Sequence, residues 1–467
     1  MNTSFGRNST RPEQPQAAAF SVGEELPETG RQQAPRLAED TLALLFTERH
    51  ADNLRYVATW SRWMRWDGCR WGTDATLHVF DLVRDLCREA SVEFAETPAS
   101  ASKTSSAATV AAVERLARTD RRHAAMIEQW DSDPWLLNTP GGRVNLHTGE
   151  LSEHRRSDYC TRMTAATPGG SCPQWLIFLE RITAGNQELQ AFLQRVAGYC
   201  LTGVTFEHAL FFLYGTGANG KSVFLTTLSG MLHEYSKTAP IDTFTTVGKD
   251  QHPTDLAGLQ GARLITAIEV EEGRRWAESK IKTLTGGDRI AARFMRQDFF
   301  EFTPQFKLIV AGNHRPGLRS VDEAIRRRLY LVPFTVTIPA ADRDAELVAK
   351  LRTEWNGVLA WALQGCLDWQ RHGLKPPDVI RAATEDYFAA EDDLKLWIDE
   401  CCETAPGNSS SCTELYGSWK RWREATGEPA ESQKCFSQNL EAKGFPKDRQ
   451  GGSGRSQFHR IGLRRLP

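Results

Sequence analysis

An α/β fold is what this 467-residue sequence predicts, and three stretches carry the prediction. The apolar run Ala209 to Tyr214 stops at Gly215, and a helix-compatible segment begins near Lys221, giving the strand, glycine loop, helix order of a phosphate-binding loop. Two further short apolar runs, Arg263 to Ile268 and Phe306 to Ala311, follow it and read as strands of one sheet. The helix-compatible segment after the loop, set between the first and second of these strands, is the alternation expected of α/β architecture.

The loop reads Gly215, Thr216, Gly217, Ala218, Asn219, Gly220, Lys221, Ser222, Val223. Glycines let backbone N–H groups turn toward phosphate oxygens, and the positive end of the following helix adds its attraction. Lys221 is placed to reach the β and γ phosphates and Ser222 to hold Mg²⁺. ATP with Mg²⁺ is therefore the expected ligand.

Composition bounds the rest. The length suits two to four domains, each with its own core. A formal net charge of −2 gives no global sign of nucleic acid, although local basic clusters can still bind it. The ten cysteines show no CxxC pair and no Cys/His grouping at zinc spacing, so they read as reduced intracellular thiols. No apolar run reaches membrane-spanning length and no signal-peptide core is evident, so a soluble protein away from membranes is expected.

Residues 1–36, rich in Ser, Pro, Gln, Gly and Arg, read as a disordered leader. A helical pattern starts at Leu37, followed by a stretch holding Trp60, Trp63, Trp66 and Trp71, with Asp67-Gly68 as a hairpin turn. These tryptophans read as a small core rather than a base-stacking surface. Helical periodicity runs from Leu77 to about Trp130, broken by Pro98 to Ala108, which reads as a loop. Asp131 and Asp133 lack a preceding apolar strand to present them as a polymerase-type metal pair and read as loop residues. Short strands are expected around Leu136 to Leu146, and two amphipathic helices from Trp175 to Cys200.

Beyond the phosphate loop, the run ending at Ile268 delivers Glu269, with Glu271 two residues on and so on the same face of an extended chain. A carboxylate there can hold Mg²⁺ through water while a second orients the attacking water; a solvated acidic turn is the alternative. Asn313, after the strand ending near Ala311, is placed to sense a γ phosphate. The segment KIKTLTGGDRIAARFMR alternates basic and apolar residues before a hairpin whose tip falls near Arg296-Gln297-Asp298. Lys282, Arg293 and Arg296 are candidates for DNA phosphates, an ordinary solvated hairpin being the alternative.

GTGANGKS, AIEVEEG, IKTLTGGD, KLIVAGNHRP and DEAIRRRL, in this order and spacing, resemble the superfamily 3 helicase domain of phage and plasmid primases, the type also seen in poxvirus primase-helicases. Upstream, WDGCRW, LLNTPGGRVNLHTGEL and FLQRVAGYCLTG are similar to the helical and mixed domain that precedes the motor in that family. The resemblance implies an AAA+-like motor that hydrolyses ATP as a ring, usually a homo-hexamer, on single-stranded or forked DNA, in the cytoplasm of a bacterial host. It also implies Glu269 and Asn313 as acidic and sensor residues. Where the family often has Trp before its paired arginines this chain has Arg326, so which of Arg326, Arg327 and Arg328 enters a neighbouring active site stays open; Arg327 and Arg328 are the candidates carried forward. Members commonly carry a primase domain upstream, for which this chain reads as having no room. A stand-alone helicase or the partner of a separate primase is thus expected, with an origin-melting initiator as the alternative.

The tail from Thr413 reads as helix, helix, basic wing, with eleven Lys and Arg against six Asp and Glu. That local excess suits a winged-helix module on DNA, with Gly451 to Arg455 as the wing. The expected domains are residues 37–185 (helical and mixed), 186–340 (motor), 341–395 (helical extension) and 396–467 (winged-helix module).

Overall fold

The computed structural model describes residues 37–246, 254–268, 273–296, 298–318, 321–427, 429–449 and 456–464. The leader, Glu269, Glu271, Gln297 and the Gly451 to Arg455 wing lie outside these.

The chain divides into two compact units. The first, residues 37–51 and 75–123 among those described, is wholly helical: Glu39–His50, His78–Phe94, Pro98–Thr104 and Ala107–Ala117. Leu42, Phe46, Val83, Leu86, Val110 and Val113 are buried in it. The expected loop from Pro98 to Ala108 is largely helix instead. Thr97 caps it by accepting from Ser100 N at 3.2 Å while Ser100 Oγ accepts from Thr97 N at 3.1 Å. That reciprocal box, with Pro98 at the first helical position, offsets weak propensity elsewhere.

The second unit begins with the aromatic hairpins. Strands Leu54–Val57, Arg62–Trp66 and Trp71–Thr73 form one antiparallel sheet. Asp67 Oδ1 accepts from the backbone N–H of Cys69 and Arg70, both at 2.8 Å, which closes the turn between the last two. Trp63 and Trp71 are buried, as a core reading requires, and Trp60 stays half-exposed. Leu136–Thr139, Gly142–Asn145 and Leu151–Ser152 make a second antiparallel sheet. Asp131 and Asp133 are loop residues whose carboxylates accept from Thr161 N and Trp135 N, both at 2.8 Å.

A five-stranded sheet follows, its strands numbered here in chain order: β1 (Leu210–Tyr214), β2 (Ser236–Thr238), β3 (Leu264–Ile268), β4 (Lys307–Gly312) and β5 (Leu329–Pro333). All neighbours are parallel and the order is 5-1-4-3-2. Along β1, Phe211 and Leu213 join one core while Leu210 and Phe212 join another, because alternate side chains leave opposite faces. Both faces are covered, which is why β1 reads as an unbroken apolar run. Two buried cations fasten the amino ends of β3 and β4 to upstream segments. Arg263 donates to Leu201 O at 2.6 Å and Leu136 O at 2.7 Å. Lys307 donates to Thr202 O and to Val204 O at 3.3 Å.

Helices Leu347–Thr353, Trp355–His372 and Asp378–Glu391 pack around the sheet. The last module has its own core of Leu394, Trp397, Leu415, Trp419, Phe436, Leu440, Phe458 and Ile461. Its elements run helix Asp393–Cys401, strand Ser409–Ser411, helices Cys412–Ala425 and Gln433–Ala442, then strands Lys447–Arg449 and Ser456–His459. It therefore starts at the Asp393 helix, slightly before the boundary read from sequence. No helix among the described residues is long and apolar enough to cross a membrane.

Candidate functional site

The loop from Gly215 to Gly220 joins the carboxyl end of β1 to the helix Lys221–Leu232. Open parallel sheets bind ligands at this edge. Gly215 has no alternative, because a Cβ on it would stand 2.1 Å from Phe334 O. Gly220, at φ +87°, is equally confined, with Ile182 Cγ2 2.5 Å from where its Cβ would be. Gly220 is the helix N-cap and carries no side chain to satisfy the first-turn N–H groups of Lys221, Ser222 and Val223. Those donors point back over the loop. Thr216, Ala218 and Ser222 are exposed around it, Gly217 is half-buried, and Asn219 is buried.

Lys221 is brought in from the helix start. Its Nζ donates to Gly215 O at 2.7 Å, Asn219 Oδ1 at 3.0 Å and Asn313 Oδ1 at 3.2 Å. These acceptors are neutral and the side chain is buried, so burial lowers the Lys221 pKa. An anion arriving here meets a concentrated positive charge.

Asn313 reaches Lys221 because β4 lies beside β1 in register, with Gly312 opposite Tyr214. On its other side β4 pairs with β3, and Ala311 lies opposite Ile268. The strand that leads to Glu269 thus ends at the same edge, while Glu269 and Glu271 themselves lie outside the described residues. Arg315, overlooked in the sequence, stacks over the Tyr214 ring at 4.7 Å and sets a guanidinium near this edge.

The three arginines divide sharply. Arg326 pairs with Glu385 at 3.1 Å and lies over Phe388. Arg328 is 7% exposed and donates to Thr285 Oγ1 at 3.2 Å and Ala324 O at 2.6 Å, so its guanidinium is committed inside the fold. The expectation of an arginine pair free to enter a neighbouring subunit is corrected on that ground. Arg327 alone of the three is exposed, and no side-chain partner is found for it among the described residues. All three precede β5, whose Leu329 pairs with Leu210 and Pro333 with Tyr214, so they stand at the edge opposite the phosphate loop.

The expected DNA-contacting residues also separate. Lys282, on the helix Glu278–Gly286, is held by Asp322 at 2.5 Å and is no longer a free cation. Arg293 and Arg296 stand past the first strand of a hairpin, Ile290–Ala292 paired with Phe300–Phe302. Arg293 lies over Phe299 at 4.8 Å, and Arg296 is exposed. Met295 is 69% and Phe299 60% exposed there, and Phe294 stacks on Phe300. Aromatic residues interleaved with arginine were visible in the sequence, yet only the charges were singled out. In the last module Arg423 is held by Asp393 and Lys443 by Asp392, so part of the basic excess is structural.

Comparison with known proteins now adds kinship. Residues 43–184 match a family described as D5 N terminal like, and residues 213–328 a family of unknown function. A putative helicase of Frog virus 3 is 27% identical over 51% of this chain and 27% of its own length. A putative helicase of Acanthamoeba polyphaga mimivirus is 25% identical over 52% of this chain and 28% of its own. Primase D5 of Fowlpox virus is 25% identical over 32% of this chain and 20% of its own. The chain spans about a third or less of the curated relatives it matches. Among solved structures, the apo NrS-1 C terminal region is 10% identical, covers 91% of this chain and 99% of its own, and superposes with a TM-score of 0.50.

Proposed function

We propose that the chain, which is similar to putative helicases and a primase of large DNA viruses, is an ATP-dependent DNA helicase of superfamily 3, working as a ring during replication. The observation that carries this reading is the convergence of Lys221 and Asn313 at the carboxyl edge of a parallel sheet of order 5-1-4-3-2, beside a helix start with free N–H groups.

In this reading the loop backbone and Lys221 bind the β and γ phosphates, and Asn313 orients the γ phosphate or the attacking water. The Ser222 hydroxyl, exposed in the first helical turn, is an oxygen donor of the kind Mg²⁺ takes. No group of three or more His, Cys, Asp or Glu suited to a metal occurs among the described residues. Phosphate oxygens and water would supply most of the ion's shell, with Glu269 as the carboxylate expected to complete it and Glu271 to orient the water. Mg²⁺ would supply charge neutralisation on the transferring phosphoryl group. The hairpin with Arg293, Arg296, Phe294 and Phe299 would grip single-stranded DNA by charge and base stacking. The last module, helical with a β-hairpin, is read as a winged helix.

The test is strand displacement on a forked DNA with ATP and Mg²⁺, with Lys221→Ala as control. ATP-dependent displacement by the wild type, absent in the variant, supports the reading. DNA-stimulated hydrolysis with no displacement would instead favour an origin-melting initiator.

A further inference from the structure

Asn219 occupies a position that the phosphate-loop pattern leaves unspecified, yet it is only 3% exposed while Ala218 beside it is open to solvent. Both ends of its amide are used. Oδ1 accepts from Lys221 Nζ at 3.0 Å, and Nδ2 donates to Phe334 O at 2.8 Å. Phe334 begins the segment that leaves β5 and runs beside the loop as a strap. Its N–H donates to Tyr214 O at 2.8 Å, and Ile338 N–H donates to Ala218 O at 2.8 Å. Further on, Asp342 is paired with Arg181 at 2.7 Å, and the helix Leu347–Thr353 packs on Lys221–Leu232. The strap is thus hydrogen-bonded to the loop and covalently continuous with the C-terminal helices.

An ammonium has three donors, and Lys221 uses all three on Gly215, Asn219 and Asn313. A phosphate oxygen bound by Lys221 therefore replaces at least one of them. A residue needed only to hold the strap would need a donor, and one needed only to hold Lys221 an acceptor. One planar amide supplies both, so a shift at either end moves the other. We propose that Asn219 is a positioning residue that couples the place of Lys221 to the seating of the Phe334 to Ile338 strap, so that nucleotide binding is relayed to the C-terminal helices. The proposal rests on the phosphate-loop reading above.

Asn219→Asp is the informative variant. It keeps the shape and the acceptor, now as an anion that competes with phosphate for Lys221. It loses the donor and sets an oxygen against Phe334 O. Hydrogen bonds to charged groups are the stronger class, so KM for ATP should rise roughly tenfold or more, with kcat changing less. Amide exchange supplies the second readout. In the wild type, a non-hydrolysable ATP analogue with Mg²⁺ should change the exchange rates of the Phe334 and Ile338 amides. In Asn219→Asp those amides should exchange faster and ignore the analogue. Asn219→Ala, which removes both bonds, should loosen the strap likewise without the added competition for Lys221. KM within twofold of wild type in both variants, or wild-type strap exchange that is indifferent to a bound analogue, overturns the coupling. Should the variants not fold, the wild-type exchange comparison alone decides. A wild type that binds no ATP at all overturns the phosphate-loop reading instead, and this proposal with it.

Discussion

Replacing Arg327 and Arg328 one at a time by alanine should produce opposite defects, although the residues are adjacent. Arg328 gives up two hydrogen bonds from a buried guanidinium, to Thr285 Oγ1 at 3.2 Å and Ala324 O at 2.6 Å. Bonds involving a charged group contribute about 1.5–3 kcal/mol each, and the removed charge no longer has to be buried, so a net loss of about 2–4 kcal/mol is expected. Arg327 is exposed and without a side-chain partner among the described residues, so its removal should change stability by no more than about 0.5 kcal/mol. Activity should invert this order. Arg327 stands before β5 and the phosphate loop follows β1, in a sheet where Leu329 pairs with Leu210 and Pro333 with Tyr214. At about 3.3 Å per residue the two lie roughly 15 Å or more apart along the strands. Arg327 cannot serve the loop of its own subunit, and a ring would bring it to the next one, where an inserted arginine accelerates phosphoryl transfer by about 10³–10⁵. The assays are denaturant unfolding for both variants, hydrolysis for both, and hydrolysis by a mixture of Arg327→Ala with Lys221→Ala. Each variant of the mixture should be inactive alone, and mixing should restore part of the activity by pairing an intact loop with an intact arginine. Mixed rings that form and stay inactive, or an Arg327→Ala protein that hydrolyses at the wild-type rate, would refute the reasoning.

The other expectations are briefer. Lys221→Ala should abolish hydrolysis in a protein that still folds, because the charge that would meet the phosphates is gone; activity near wild type contradicts it. Phe299→Ala should weaken single-stranded DNA binding by about 1–3 kcal/mol with little change in its salt dependence, whereas Arg296→Ala should lower the slope of log affinity against log salt by about 0.7. Deleting the last module should flatten that slope further and spare basal hydrolysis. The cut belongs before Asp392, because a cut at Thr413 would strip Leu394 and Trp397 of the core they share with Trp419 and Phe436. Burial pushes the Lys307 ammonium down to about 7 from 10.5. Between those values the unfolded chain holds the extra proton, so this group makes stability rise with pH across that window, by at most about 1.4 kcal/mol per pH unit. Denaturation at a series of pH values should show the rise in wild type and its loss in Lys307→Met.

What could be read from the sequence was what local physics decides. The glycine loop stands out in the sequence because Gly215 is confined by the backbone of Phe334 and Gly220 by the side chains of Ile182 and Phe178. The aromatic hairpin and the helices before the parallel sheet followed from turn chemistry and periodicity. The helix Pro98–Thr104 escaped a composition-based reading, yet its capping box was present in Thr97-Pro98-Ala99-Ser100. Long-range partners were not legible. Nothing in three consecutive arginines says that one donates to Thr285, one faces Glu385 and one faces outward. Nor does the count of basic residues in the tail reveal that Arg423 and Lys443 are consumed by Asp393 and Asp392 just upstream.

The same distinction explains where the candidate chemistry sits. Lys221 and Asn313 are 92 residues apart in sequence and 3.2 Å apart in space, because β1 and β4 are neighbours although two other strands of the sheet lie between them in the chain. That crossover puts loop and sensor at one edge of the sheet. By the same register it sends Arg327 to the other edge, together with the turn that Asp322 caps and ties to Lys282. On the proposed reading, a subunit so built would hold phosphate at one end and offer the Arg327 cation at the other. A neighbour of the same kind, docked head to tail, would then bring the two ends together, and a repeated heterologous contact of that sort closes into a ring when its rotation permits.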